Sequence, residues 1–257
     1  MIMKFTLMPA INGWNFYKVE VLDEPELIEL AKHRAFRKAP KVAHGDPSGS
    51  PRSQQERFSQ NFLGALADIS CGYLLRKFFE KHNLPITVES YDQVRTDDFQ
   101  EHDLYDIKIK TGGAESIVEV RSSLCVQKSL AGVINDWHIL GPYQSQSKGK
   151  TESEKEFYIR PMFHLKNYRD YQKDHQNNMP PMKTYDRSDG LRLFEDGEVD
   201  LYILGGATTE IMSSSKAWDE KGETLKQGKT NFRVVLIKDG LQTQDFLNAI
   251  AREMLDK

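Results

Sequence analysis

Between Tyr105 and Ser123 the chain reads YDIKIKTGGAESIVEVRSS, the stretch whose residue types are best suited to chemistry. Two alternating runs, Tyr105-Asp106-Ile107-Lys108-Ile109-Lys110 and Ile117-Val118-Glu119-Val120-Arg121, flank Gly112-Gly113. A glycine pair accepts the positive φ angles of a tight primed turn, so a β-hairpin is expected. With a two-residue loop Thr111 faces Ala114, and counting back sets Asp106 opposite Glu119. Facing residues share one side of a sheet, with Cβ atoms about 5 Å apart. That side collects Asp106, Lys108, Lys110, Glu119 and Arg121, and the other holds Tyr105, Ile107, Ile109, Val118 and Val120 as an apolar face. Two close carboxylates beside a fixed cation form a candidate divalent-metal site.

The elements around the hairpin must hold those acids in place. Ser53 is expected to cap a core helix in which Phe58, Phe62, Ala65, Leu66, Ile69, Tyr73, Leu74 and Phe78 recur at helical spacing. Gly64 in it suggests close backbone approach, and Asp68, one turn on, is either a third metal carboxylate or a solvated acid. Glu56 is explained by the helix dipole. Ile86 to Glu89 reads as a first strand. Asp97, Asp98, Glu101 and Asp103 follow in a loop and are alternatives to Asp106 if the register differs. Ser122 to Leu140 reads mostly as a helix, and 141–156 as an exposed loop whose Lys148, Lys150 and Lys155 serve either phosphate contact or solubility. Phe157 to Leu165 is a strand that Pro161 demotes toward an edge or bulge. Val199 to Gly206 reads as a strand ending in a glycine turn, Phe232 to Ile237 as another, and Thr243 to Lys257 as an amphipathic helix.

Upstream, residues 4–22 suggest a short β element turning at Asn12-Gly13, and Glu24-Pro25-Glu26 starts a helix. Its basic tail, Lys32 to Lys38, reads first as a solvated helix end and second as a phosphate contact. The tract 43–51 is loop by composition. In the segment up to Asp189, Tyr168, Tyr171 and Tyr185 near Lys166, Arg169, Lys173 and Lys183 suit base stacking and phosphate contact, or ordinary packing of an insertion on the core.

The 257 residues, 39% hydrophobic and 28% charged, fit a single globular domain: an N-terminal elaboration over 1–50, a core over 53–165 and C-terminal additions over 166–257. No apolar run approaches the roughly 20 residues that span a bilayer, and no secretory signal is expected. Cys71 and Cys125 are too few for a disulfide scaffold or zinc site, which suits a cytoplasmic protein with reduced thiols. A net charge of −3 argues against a basic architectural DNA binder. It leaves open an enzyme that meets DNA through local cations.

Asp106, a hairpin of about a dozen residues, and then Glu119-Val120-Arg121 resemble the PD-(D/E)XK nuclease superfamily. The order helix, strand, hairpin, helix over roughly 53–165 is similar to its αβββαβ core. The resemblance implies an α/β fold with a mixed central sheet flanked by helices. It also implies a magnesium-dependent DNA endonuclease, of restriction or phage-defence type, in which manganese substitutes for magnesium. Asp106 and Glu119 would then be metal ligands, and Asp68 would match the helix acid that some members add. Two departures stand out: Tyr105 replaces the usual proline and Arg121 the usual lysine. Arginine stays protonated, so Arg121 can clamp a phosphate but not act as a base; Lys108, Lys110 or Lys128 would supply a mobile ammonium and contact DNA. Cutting both strands of duplex DNA suggests a homodimer. The alternatives are a catalytically inactive DNA-binding protein on the same fold, and an unrelated α/β protein whose hairpin acids pair with Lys108 and Arg121.

Overall fold

The computed structural model describes residues 3–21, 25–42, 51–101, 103–145, 149–169, 187–222 and 230–257. The loop tract 43–50, Lys148, and the aromatic and basic residues Tyr171, Lys173, Lys183 and Tyr185 lie outside them.

In chain order the strands are β1 (Lys4–Leu7), β2 (Tyr17–Glu20), β3 (Thr87–Ser90), β4 (Ile107–Thr111), β5 (Ala114–Val120) and β6 (Ser123–Cys125), then β7 (His138–Ser145), β8 (Lys150–Thr151), β9 (Phe157–Leu165), β10 (Val199–Thr208), β11 (Trp218–Glu220) and β12 (Thr230–Leu236). The helices are α1 (Pro25–Lys38), α2 (Gln54–Lys81), α3 (Tyr91–Val94), α4 (Leu130–Asp136), α5 (Gly190–Glu195), α6 (Thr209–Ser213) and α7 (Thr243–Leu255). The main sheet runs β1-β2-β10-β9-β5-β4-β3, with β6 also on β9. β5 and β6 lie parallel to β9 and the other pairs are antiparallel, so the sheet is mixed. A second, antiparallel sheet runs β11-β12-β7-β8.

Helix α2 begins as its sequence requires. The Ser53 hydroxyl accepts a hydrogen bond from the Glu56 amide at 3.0 Å, satisfying a first-turn donor. Its apolar positions Phe62, Leu66, Ile69, Leu74 and Phe78 pack with Ile107, Ile109, Val118 and Val120 in one core, which α1, α5 and α7 complete. A second core, containing Val133, Ile139, Tyr158, Met162, Leu204 and Val235, fills the space between the main sheet and the smaller one.

The hairpin forms in the counted register. Gly112 and Gly113 take φ angles of 50° and 108°, Thr111 pairs with Ala114, and Ile107 pairs with Val118. Asn12 and Gly13 likewise turn at positive φ, 53° and 79°.

Several expectations are corrected. Instead of one long helix over Ser122–Leu140, the chain makes β6, the seven-residue α4 capped by the Ser129 hydroxyl, and the start of β7. The reason is nonlocal: β6 pairs with β9 at the same register offset as β5, so the two are one strand line interrupted at Arg121-Ser122. Much of the anticipated loop 141–156 is strand, because β7 runs to Ser145 on β12 and β8 pairs back on β7. β9 is central, not an edge, but the expected bulge is present: the β10 register shifts between Ile203, which pairs with Pro161, and Gly206, which pairs with Ile159. Gly64 makes no close approach, since a Cβ there would meet nothing within 4 Å. β10 continues through its glycines to Thr208 with a register shift between Ile203 and Gly206. Gly205 is required there: it sits at φ +112°, and a Cβ would fall 2.0 Å from the Leu241 carbonyl oxygen.

Pro161 explains both its central place and the interruption beside it. The Arg121 amide donates to the Ile159 carbonyl at 3.1 Å. The next rung of a parallel ladder would run from residue 161 to the Arg121 carbonyl, and proline has no N–H to give. The buried Arg160 guanidinium donates to that carbonyl instead, and to Ser123 Oγ at 2.9 Å.

Candidate active site

Asp106 stands at the mouth of β4, where regular pairing stops. Its Oδ2 accepts from the Val120 amide at 2.7 Å and its carbonyl accepts from the Tyr91 amide at 3.1 Å. The side chain thus fastens the open end of the hairpin. Glu119 lies on β5, paired in register with Tyr158 of β9, and is 7% exposed. Asp68 comes from α2.

Asp106 is the common neighbour of the other two, since its charge raises both Asp68 and Glu119. Burial pushes Asp68 well above its ordinary range, and repulsion from Asp106 adds to the rise, while Lys38 opposes it. Asp106 is raised by burial, against the Val120 hydrogen bond and the charges of Arg121 and Lys38. Glu119 is pushed up to about 8, first by burial and then by Asp106, despite Arg121. Asp106 and Glu119, buried and of like charge, are a pair whose repulsion a divalent cation would relieve. Among the described residues, no group of three or more His, Cys, Asp and Glu side chains stands in a metal-holding arrangement. Two close carboxylates still match magnesium, which is bound through one or two carboxylates with water and phosphate oxygens completing its shell.

Arg121 is held between acids. One of its terminal nitrogens lies 3.1 Å from Glu119 and 2.5 Å from Glu152, and the guanidinium packs 5.7 Å from the Tyr143 ring centroid. Burial opposes its charge, but Glu119, Glu152 and Asp106 outweigh that and hold it above its ordinary value. Its Nε is buried without a hydrogen-bond partner. Arg160, sealed beside it, is lowered to about 10 by burial and by the neighbouring Arg121 charge.

The anticipated lysines sit in ion pairs of their own. Lys108 pairs with Glu115 at 3.2 Å, Lys110 with Glu89 at 2.9 Å, and Lys128 with Asp136 at 2.6 Å. Tyr105 leaves the apolar row assigned to it. Its hydroxyl donates to Glu89 at 2.5 Å and Lys108 lies 4.7 Å from its ring centroid, so the ring joins the polar side chains of the hairpin. Of the loop acids, Asp97 and Asp103 surround Arg95 at 2.7 and 2.6 Å, and Asp98 pairs with Arg37 and Lys41. Asp106 lies just before β4, one residue beyond the last registered pair, Ile107 with Val118.

Sequence reasoning missed two residues. Glu152 falls in the stretch expected to be loop; it follows directly on β8, and its amide donates to the Tyr143 carbonyl of β7 at 2.9 Å. Lys38 was read mainly as a solvated helix end, yet it pairs with Asp103 and its charge is felt at Asp68 and Asp106. A signal existed: Leu27, Ala31, Arg34 and Ala35 form the buried stripe of α1, and Lys38 lies one turn beyond Arg34 on the same face.

Among the described residues, no helix is long and apolar enough to cross a membrane. No protein-family model, curated protein or solved structure matches the chain.

Proposed function

We propose that the chain is a magnesium-dependent DNA endonuclease on a restriction-endonuclease-like core, of restriction or phage-defence type. The observation that carries this reading is that Asp106, fastened to the Val120 amide at the mouth of the hairpin, raises both Asp68 on α2 and Glu119 on β5, which burial also pushes up. The order α2, β3, α3, β4, β5, β6, α4, β7, β8, β9 contains the αβββαβ succession that the sequence resemblance implies, with α3, β6, β7 and β8 interposed.

Asp106 and Glu119, joined by Asp68, would hold one or two magnesium ions, and manganese would substitute. When bound, magnesium lowers the pKa of a coordinated water and stabilises charge on phosphate oxygens. Arg121 orients Glu119 from one side, and the Val120 amide orients Asp106. Lys108, Lys110 and Lys128 would meet the backbone of double-stranded DNA by exchanging their present carboxylate partners for phosphates. A homodimer would supply the two sites needed to cut both strands.

One observation favours a second reading. The Glu119–Arg121–Glu152 group is already ion-paired, which suits a catalytically inactive DNA-binding protein on the same fold. Incubation of plasmid and phage DNA with magnesium or manganese separates the two. Under the nuclease reading the wild type cleaves, and Asp106→Ala and Glu119→Ala each lose at least about 100-fold in rate. Binding without cleavage selects the second reading. Neither activity leaves an unrelated α/β protein.

A further inference from the structure

Glu119 is a buried acid that its surroundings leave unsatisfied. It is 7% exposed, and among the described residues no amide or side chain donates a hydrogen bond to its carboxylate. Buried polar groups are hydrogen-bonded in the great majority of cases. Arg121 is close enough to supply a donor, since its Nη2 stands 3.1 Å from Glu119 Oε1. Yet Nη2 donates to both oxygens of Glu152, at 2.6 and 2.5 Å, and a terminal guanidinium nitrogen has only two N–H bonds to give. Nε is buried without a partner. The guanidinium is thus turned to Glu152 and held from closing on Glu119. The smaller sheet sets that turn. Glu152 follows β8, its amide donates to the Tyr143 carbonyl at 2.9 Å, and the Tyr143 ring centroid lies 5.7 Å from the guanidinium.

A guanidinium and a carboxylate free to choose their geometry close fork to fork, with two parallel hydrogen bonds. Such a pair on Glu119 would occupy the oxygens that a divalent cation needs, and the cation would have to break it. We propose that Glu152 is a positioning residue for the metal site: it takes both Nη2 protons of Arg121 and so keeps the Glu119 carboxylate open to the cation. This rests on the metal site of the reading above. Glu152 touches neither metal nor substrate and acts through Arg121. The smaller sheet is then a working part of the site, supplying both the counter-ion of Arg121 and the ring beside its guanidinium.

The test uses the full chain and reads the binding of manganese alone by calorimetry, so that it does not depend on DNA cleavage. Glu152→Gln keeps the shape of the side chain but removes its charge and one acceptor oxygen, which frees an Nη2 proton for Glu119. It is expected to weaken manganese binding about 10-fold. In an Arg121→Met background the same change should alter the affinity by less than about 2-fold, because no guanidinium remains to close on Glu119. An equal loss in both backgrounds overturns the inference, since Glu152 would then act on the ion by its own charge. Manganese affinity unchanged in Glu152→Gln overturns it as well. Where Arg121→Met does not fold, modification of Arg121 by phenylglyoxal in the wild type and in Glu152→Gln decides the same point. Manganese should speed the labelling in the variant, by displacing Arg121 from Glu119, and leave it unchanged in the wild type. Labelling of the variant that is the same with and without manganese overturns the inference. A wild type that binds no manganese removes the metal site and this role together. One that binds manganese and cleaves no DNA removes the nuclease reading alone and leaves the role of Glu152 standing.

Discussion

Glu119 concentrates the electrostatics of the site. Its carboxyl is held at about 8 against an ordinary value of 4.5, by burial first and by Asp106 next. Between those values the folded state keeps a proton that the unfolded chain releases, so stability falls as pH rises through this window. Glu119→Gln cannot ionise and should escape that loss. In metal-free urea melts the wild type and Glu119→Gln should show their smallest pH-linked difference near pH 4, with the variant gaining a few kcal/mol relative to wild type by pH 8. Parallel pH profiles for the two proteins would contradict the assignment. Asp106 and Glu119 were legible because alternation and a glycine turn fix register locally. Glu152 and Lys38 were not, because their partners lie 31 and 65 residues away along the chain. Only the packing of α1 and the pairing of β8 with β7 bring them in.

The strand line β5–β6 shows an element shaped by what its neighbour lacks. Pro161 withholds the amide that would have bonded the Arg121 carbonyl, and Arg160 fills the vacancy with its guanidinium. Arg121 therefore sits at a break in the ladder, where its side chain can turn between Glu119 and Glu152. Arg160→Met should cost about 1–3 kcal/mol, since it leaves a carbonyl at that break without a donor. Pro161→Ala restores an N–H at the missing rung, so the double variant should recover about 1 kcal/mol of that loss. Chemical denaturation of the three variants checks this, and a double variant no more stable than Arg160→Met would refute the account. The sequence marked Pro161 as a disruption but not its place, because a proline's effect depends on which strand lies beside it. The same nonlocality hid β6. Leu124, Val126, Leu130, Val133 and Ile134 can be spaced as a helix, yet β9 offers the first of them a parallel edge. By contrast α2 and the hairpin were readable because their signals are local: a serine cap, helical periodicity and a turn that only glycine accepts easily.

β9 and β10 decide how the molecule behaves as a whole, because both bury apolar side chains on both faces. Along β9, Phe157, Ile159, Phe163 and Leu165 enter the helix-side core, while Tyr158 and Met162 enter the core beneath the smaller sheet. Along β10, Leu201 and Ile203 face the first and Tyr202 and Leu204 the second. Melting either core would leave one face of the two central strands in water, and at about 25 cal/mol per Å² of apolar surface that exposure disfavours a half-folded state. The two cores should therefore unfold together. Leu66→Ala in α2 and Leu204→Ala in β10 remove fully buried side chains from opposite cores, and each should cost about 2–5 kcal/mol. Each variant is expected to show a single calorimetric transition at lower temperature, with near-UV and far-UV circular dichroism changing together. A Leu204→Ala protein that melts in two steps, losing the β11-β12-β7-β8 layer first, would show that the smaller sheet is an independent unit. In that case Glu152, positioned by β7 and β8, would be lost from Arg121 before the hairpin that carries Asp106 and Glu119 unfolds.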